Sequence, residues 1–357
     1  MTRSIPERSG SYAAAERAIV HFLRAFEGAQ QTILFQKIAD TRERLRAAVG
    51  DELNVAGRDL EDDARDAPAQ RAVLLGALVH LNNAYGMFCL DRAWPDFATA
   101  YLSSRGQQCR ALEMLYKARD ELPTVEAYFR FDDTIPPASD NPATGISHHG
   151  VADGRGEYSL YVPEYYDASR TWPMVVCLHG SHGRGDEYLW TWLRAARSRG
   201  YVVLSPKSFG LTWSIMQPAL DTESVLAMIE AVAGSVAIDR SRILVTGLSD
   251  GGTFSYLIGL NHPDSFRACA PIAGVLSPAV DPLLREHRGV NLPFHVVHGV
   301  HDAIFPVQTI RSTNDLLESL GYQLTYTELP DWGHALTYSI NENIVLPWFE
   351  GIAGDPA

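Results

Sequence analysis

The rhythm of hydrophobic positions changes near residue 123, and the change divides the chain in two. From about 11 to 122, apolar residues recur three and four apart, as in Ile19, Phe22, Leu23 and Phe26 or Leu74, Leu75, Leu78 and Leu81. That spacing lines up one face of a helix. It predicts helices over 12–30, 32–49, 69–90 and 98–119, with few prolines before Pro123 and no run suited to a strand. Residues 1–130 therefore read as an all-α N-terminal domain of four or more helices. Residues 131–142 carry Pro136, Pro137 and Pro142 among Asp132, Asp133 and Asp140, a composition suited to a linker.

From 143 to 357 the pattern is different. Segments 145–151 and 157–162 flank Ala152-Asp153-Gly154-Arg155-Gly156 and predict a hairpin. Short apolar runs follow at 174–178, 201–205, 242–246, 268–273, 294–298 and 323–329. They alternate with helix-period stretches at 187–199, 222–236, 253–261, 307–320 and 338–349. Strands that are apolar throughout are buried on both faces, so the fold class is α/β, a mostly parallel sheet covered by helices on both sides.

Composition narrows the function classes. With 46% hydrophobic and 20% charged residues, the chain has the make-up of a globular protein. A net charge of −13 argues against nucleic acid or an anionic membrane surface as partner, since both call for clustered Lys and Arg. Cys89, Cys109, Cys177 and Cys269 show neither a metal-ligand spacing nor a disulfide framework. The first ten residues are polar, the segment after them is interrupted by Glu16, Arg17 and Arg24, and the longest apolar run, 72–81, is too short to cross a bilayer. The expectation is a cytoplasmic protein without a membrane span. The acidic stretch 59–66 reads as a solvated loop or helix face.

Candidate chemistry centres on Gly247-Leu248-Ser249-Asp250-Gly251-Gly252, placed after an apolar run and before a helical stretch. A G-x-S-x-G between strand and helix is a nucleophile elbow. The turn is so tight that its neighbours must lack bulk, and it lifts one hydroxyl to a helix N-terminus. A serine hydroxyl needs a base, and the base needs an orienting acid. Candidates follow in the order that the elbow requires. Asp302 lies past the run 294–298, and His334 lies past 323–329 in Asp331-Trp332-Gly333-His334. Asp331 and Asp281 are the rival acids. Two backbone N–H groups should face the developing oxyanion. One belongs to Asp250; the other lies in His179-Gly180-Ser181-His182-Gly183, where Ser181 is preferred and His182 is the reserve. Trp213 and Trp332, on loops beside these residues, are candidates for substrate binding together with His182, while Trp190 and Trp192 suit the core. His298 and His301 have a H-x-x-H spacing, but across a strand end and loop, so no metal site is assigned. His148 and His149 read as structural or exposed.

These segments resemble the phospholipase/carboxylesterase branch of the α/β-hydrolase fold, and also the polyhydroxybutyrate-depolymerase-like esterases and prolyl-oligopeptidase-type catalytic domains. The likeness rests on the strand ending in His179-Gly180, the elbow at 247–252, His298 to Pro306, and Gly333-His334, and it covers roughly the C-terminal 210 residues. It implies an α/β-hydrolase domain that cleaves a small-molecule carboxylic ester by Ser249, His334 and Asp302 through an acyl-enzyme, with no cofactor. Asp250 departs from the Gln, Ala or Met usual after the serine. The helical extension is unlike a β-propeller, which disfavours the peptidase or amidase alternative. Acyl transfer and a non-enzymatic binding role are the other rivals. The helical domain reads as a cap or as a homo-oligomerisation module.

Overall fold

The computed structural model describes residues 10–63, 67–92, 96–131, 135–150, 156–286 and 291–353. It separates into two compact units, Met1–Gln30 with Gln36–Asp133, and Gln31–Phe35 with Thr134–Ala357.

The first unit is built from helices α1 (Gly10–Gln31), α2 (Ile38–Val49), α3 (Glu52–Glu61), α4 (Pro68–Cys89), α5 (Asp96–Ala118) and α6 (Pro123–Tyr128). The periodic positions Ile19, Phe22, Leu23 and Phe26 of α1 are fully buried, which is what their spacing encodes. Two acids are buried on the same helix. Glu16 accepts from the Thr124 N–H (2.9 Å), and Glu27 accepts from the Tyr128 hydroxyl. Helix α4 is long and apolar enough to span a bilayer by length and composition alone, a length hidden by counting only its continuous apolar core. One side of it, with Leu74, Ala77, Leu78, Leu81, Ala84 and Phe88, is buried in this unit.

One sequence expectation changes here. The helix predicted over 32–49 begins only at Ile38, after a 3₁₀ turn at Phe35–Lys37. Residues Gln31–Phe35 leave the helical unit and cluster with the second. Ile33 is 3% exposed, so its apolar side chain serves tertiary packing rather than helix periodicity.

In the second unit, eight strands form one sheet: β1 (Gly145–His149), β2 (Tyr158–Val162), β3 (Trp172–Leu178), β4 (Val202–Pro206), β5 (Ile238–Leu248), β6 (Ala268–Ile272), β7 (Phe294–Gly299) and β8 (Leu324–Leu329). Their order is β1-β2-β4-β3-β5-β6-β7-β8. The β1–β2 and β2–β4 pairs are antiparallel and all others parallel. This is the α/β-hydrolase sheet, with its leading hairpin and the β3–β4 inversion. The hairpin turn lies at 151–155, outside the described residues. Strand β5 starts earlier than its apolar run, because the polar Asp239 to Arg242 continue the extended chain.

Helices α7 (Gly185–Tyr188), α8 (Leu193–Arg199), α9 (Ala219–Ala233), α10 (Asp250–Asn261), α11 (Asp281–Glu286) and α12 (Val307–Ser319) connect the strands. The last segment, α13 (Tyr338–Ile340), passes through a π-helical turn, Asn341–Val345, into α14 (Leu346–Ala353). Register places Leu178 beside Gly247, Leu248 beside Ile272, and Gly299 beside Leu329. The loops after β3, β5, β6, β7 and β8 thus emerge along one edge, the edge where parallel sheets bind ligands. Cys177 and Cys269 are fully buried, and burial pushes both thiols up to about 12.

Candidate active site

Ser249 occupies the pivot between β5 and α10. Its φ is +60°, a left-handed conformation that a non-glycine residue adopts only under strain. The surroundings impose it. Ser249 N–H donates to Ile272 O at the end of β6 (3.0 Å), and Ser249 O accepts from Thr253 N–H in the first turn of α10 (2.9 Å). A methyl on Gly251 would lie 2.2 Å from Leu178 O, and one on Gly247 would lie 2.4 Å from the Gly251 carbonyl. Any side chain at either position would part helix from strand, and the serine would lose its place.

The loops after β7 and β8 bring the next two candidates together. His334 Nδ1–H donates to Asp302 Oδ2 at 2.7 Å, which leaves Nε2 as the basic nitrogen. The other carboxylate oxygen accepts from the Ile304 and Phe305 N–H groups, both at 2.8 Å. The Asp302 side chain is wholly buried. Burial works to lift its carboxyl pKa, but His334 and the two N–H groups outweigh it and hold the group below its ordinary value. The two loops are also tied through the backbone, where His301 N–H donates to Trp332 O (2.8 Å). A methyl on Gly333 would lie 2.6 Å from Ile33 O, so residues 31–35 support the His334 loop from behind. Ser249 Oγ and His334 are not hydrogen-bonded in this structure; such contacts commonly tighten when substrate arrives.

Of the rival acids, Asp331 is exposed, and the Asp281 side chain lies outside the described residues. His298 is a residue whose part the sequence hid. Its Nε2–H donates to Phe305 O (2.9 Å) and lies 3.7 Å from Asp302 Oδ2, so it braces the acid-bearing loop. Burial lowers its pKa and favours the neutral ring. Its position four residues before Asp302 was the only available signal.

The loop after β3 reaches the serine from the other side. A methyl on Gly180 would sit 3.3 Å from Ser249 Cβ. His182 N–H, the reserve oxyanion donor, is already bonded to Leu211 O (2.6 Å). Among the described residues the Ser181 and Asp250 N–H groups make no internal hydrogen bond. His179 is 1% exposed; its Nδ1–H donates to Gly180 O (2.7 Å), and its Nε2 accepts from Ser208 N–H (3.2 Å). Burial is the main cause that brings its pKa down to about 4.

Trp213 differs from the expectation of a cleft wall. It is 2% exposed, stacks on Phe254, and donates its indole N–H to His179 O (2.7 Å). Its polar tip is spent on the loop, so it shapes the site from within. Trp332 is half-buried and His182 exposed. Trp190 and Trp192 are in the core. His148 bonds Ser159, and His149 stacks on Tyr158.

No protein-family model matches the chain. It is similar to a probable feruloyl esterase C of Aspergillus terreus, 27% identical over 196 residues that span 52% of this chain and 70% of the relative. It is similar also to the feruloyl esterase C of Emericella nidulans, 26% identical over 218 residues, 57% of this chain and 77% of that one. A solved S-formylglutathione hydrolase of Staphylococcus aureus aligns over 62% of this chain and all of its own, with 14% identity and a TM-score of 0.47. The strand order and the strained serine between β5 and α10 give the chain the α/β-hydrolase fold. With its sequence relatives it is a serine hydrolase of carboxylic esters.

Proposed function

We propose that ester cleavage proceeds through an acyl-enzyme on Ser249, with His334 as the base and Asp302 as its orienting group. The observation that carries this reading is the 2.7 Å Asp302–His334 hydrogen bond, formed by two loops on the sheet edge where the serine elbow stands. His334 Nε2 takes the Ser249 proton as Oγ attacks the ester carbonyl, and the ionised Asp302 stabilises the resulting imidazolium. The Ser181 and Asp250 N–H groups, free of internal partners, receive the oxyanion at the N-terminus of α10, where negative charge is favoured. His334 then returns the proton to the leaving alkoxide. Water repeats the sequence to release the acid.

The substrate class we propose is an ester of an aromatic acid. Two facts support it. The relatives above are named feruloyl esterases. Every exposed large hydrophobic residue described in this unit (Phe209, Leu211, Met216, Leu220 and Ile304) lies on a segment that follows β4 or β7. The test is labelling with a fluorophosphonate probe, followed by a panel from alkyl acetates to methyl hydroxycinnamates. Wild type should be labelled and should favour the aromatic acyl esters, while Ser249→Ala should lose both labelling and turnover with its thermal unfolding unchanged. Turnover that persists in purified Ser249→Ala rejects the nucleophile, and a preference for acetates rejects the substrate class.

A further inference from the structure

The acid that follows the nucleophile has a partner, and that partner explains its presence. Thr212 Oγ1 donates to Asp250 Oδ2 at 2.6 Å. Thr212 lies beyond the end of β4, and Asp250 begins the helix after β5. In the sheet β3 separates those two strands. The chain from 207 to 213 must therefore cross the end of β3 and the loop that follows it, residues 179–183.

The crossing is bonded along its length. Ser208 N–H donates to His179 Nε2 (3.2 Å), Leu211 O accepts from His182 N–H (2.6 Å), and Trp213 Nε1–H donates to His179 O (2.7 Å). The strap has its own anchor in the buried Asp221, whose two carboxylate oxygens accept from Phe209 N–H (3.0 Å) and Ser214 N–H (2.6 Å). Beneath it, His182 sits at φ +58°, a conformation that costs a non-glycine residue and must be held by its surroundings. The Leu211 carbonyl is one such hold.

We propose that Asp250 is a positioning residue: through Thr212 it fastens the 207–213 strap across the oxyanion loop and so sets the spacing between the Ser181 and Asp250 N–H groups. The inference rests on those two groups being the oxyanion donors. A carboxylate suits the task. It accepts a short, charge-assisted bond from the threonine hydroxyl, and it stands in the first turn of α10, where the helix dipole favours a negative charge. A methionine or alanine there would give Thr212 nothing to hold, and the strap would lose its tie to α10.

Thr212→Val, Thr212→Ser, Asp250→Ala and Asp250→Asn separate the bond from the charge. Each is assayed for kcat and KM on an ester and on the thionoester with the same leaving group. The oxyanion hole is built for oxygen, so the preference of wild type for the oxygen ester reads the geometry of the hole directly. Removing a whole donor costs on the order of 10²–10³ in kcat; a displaced one should cost about 10-fold. Thr212→Val and Asp250→Ala should each lower kcat by about that factor on the oxygen ester, leave KM within about twofold, and narrow the oxygen-to-sulfur preference. The double variant should be no worse than either single one. Thr212→Ser keeps the donor and should stay close to wild type; Asp250→Asn keeps an acceptor without the charge and should fall between wild type and Asp250→Ala. An unchanged preference in Thr212→Val, or an Asp250→Asn as impaired as Asp250→Ala, overturns the proposal. A folded wild type that turns over no ester overturns instead the assignment of the site on which it rests.

Discussion

His179 ties the stability of the site to pH. Its ring is buried under the strap, donates to Gly180 O, and accepts from Ser208 N–H. Burial is the main cause that lowers its pKa from 6.5 to about 4; Lys207 and Arg184 work the same way, while the Gly180 bond and Asp186 oppose. In the unfolded chain the same imidazole takes up a proton near pH 6.5. The unfolded state therefore binds more protons between these values, and stability rises with pH across the window. The contribution is whole above pH 6.5, is lost as pH falls to about 4, and amounts to about 3 kcal/mol in total. About 2 kcal/mol of that loss falls between pH 7 and pH 5. Protonation would also convert Nε2 from acceptor to donor against the Ser208 N–H, so the strap should loosen with it.

His179→Gln removes the titration and keeps a polar side chain. Urea unfolding followed by tryptophan fluorescence suits the comparison, because six of the seven tryptophans belong to the second unit. Burial also brings His295 down to about 4, so wild type should lose more than one histidine's worth. The difference between the two proteins isolates His179. Wild type should lose about 2 kcal/mol more than the variant between pH 7 and 5. Parallel pH dependences, or a His179 NMR titration midpoint near 6.5, would refute the reasoning.

Asp302→Asn should leave the loop bonds in place but favour the wrong His334 tautomer, lowering kcat by up to about 10⁴-fold with little change in KM; steady-state kinetics on the best ester decides it. Gly251→Ala forces a methyl to 2.2 Å from Leu178 O, and its cost of about 1–3 kcal/mol should appear as a lower Tm together with lost labelling of Ser249. Gln31→Ala removes the acceptor of two bonds from Ser339, its N–H at 2.7 Å and its hydroxyl at 2.6 Å. It should destabilise by about 1–3 kcal/mol, measured by urea unfolding. Cutting the chain at residue 130 discards Gln31–Phe35 and should lower kcat even where the remainder folds, a loss that adding those residues as a peptide should partly restore.

What could be read in the sequence, and what could not, follows from how each contact is encoded. Ser249, Asp302 and His334 are far apart in sequence, yet each stands just after an apolar run. A run buried on both faces implies a parallel strand, and parallel strands deliver their following loops to one edge. Periodicity and chain order therefore suffice to gather the three on that edge, and the structure adds the Asp302–His334 bond. The strap depends on something periodicity does not carry, the inversion that sets β4 outside β3. Until that order is known, nothing brings Thr212 to Asp250 or turns Trp213 inward against His179. Trp213 lies on a loop after a strand, which suggests a cleft residue, but a loop that crosses another loop spends its polar groups on it. The same holds at Gln31–Phe35, where Ile33 and Leu34 continue a helical rhythm and pack behind Gly333 instead. An apolar side chain records that it will be buried, not which unit will bury it. Asp250 is the converse case. An acid beside a nucleophile is conspicuous in the sequence and has no reason there. The reason lies in a hydroxyl that arrives from across the sheet.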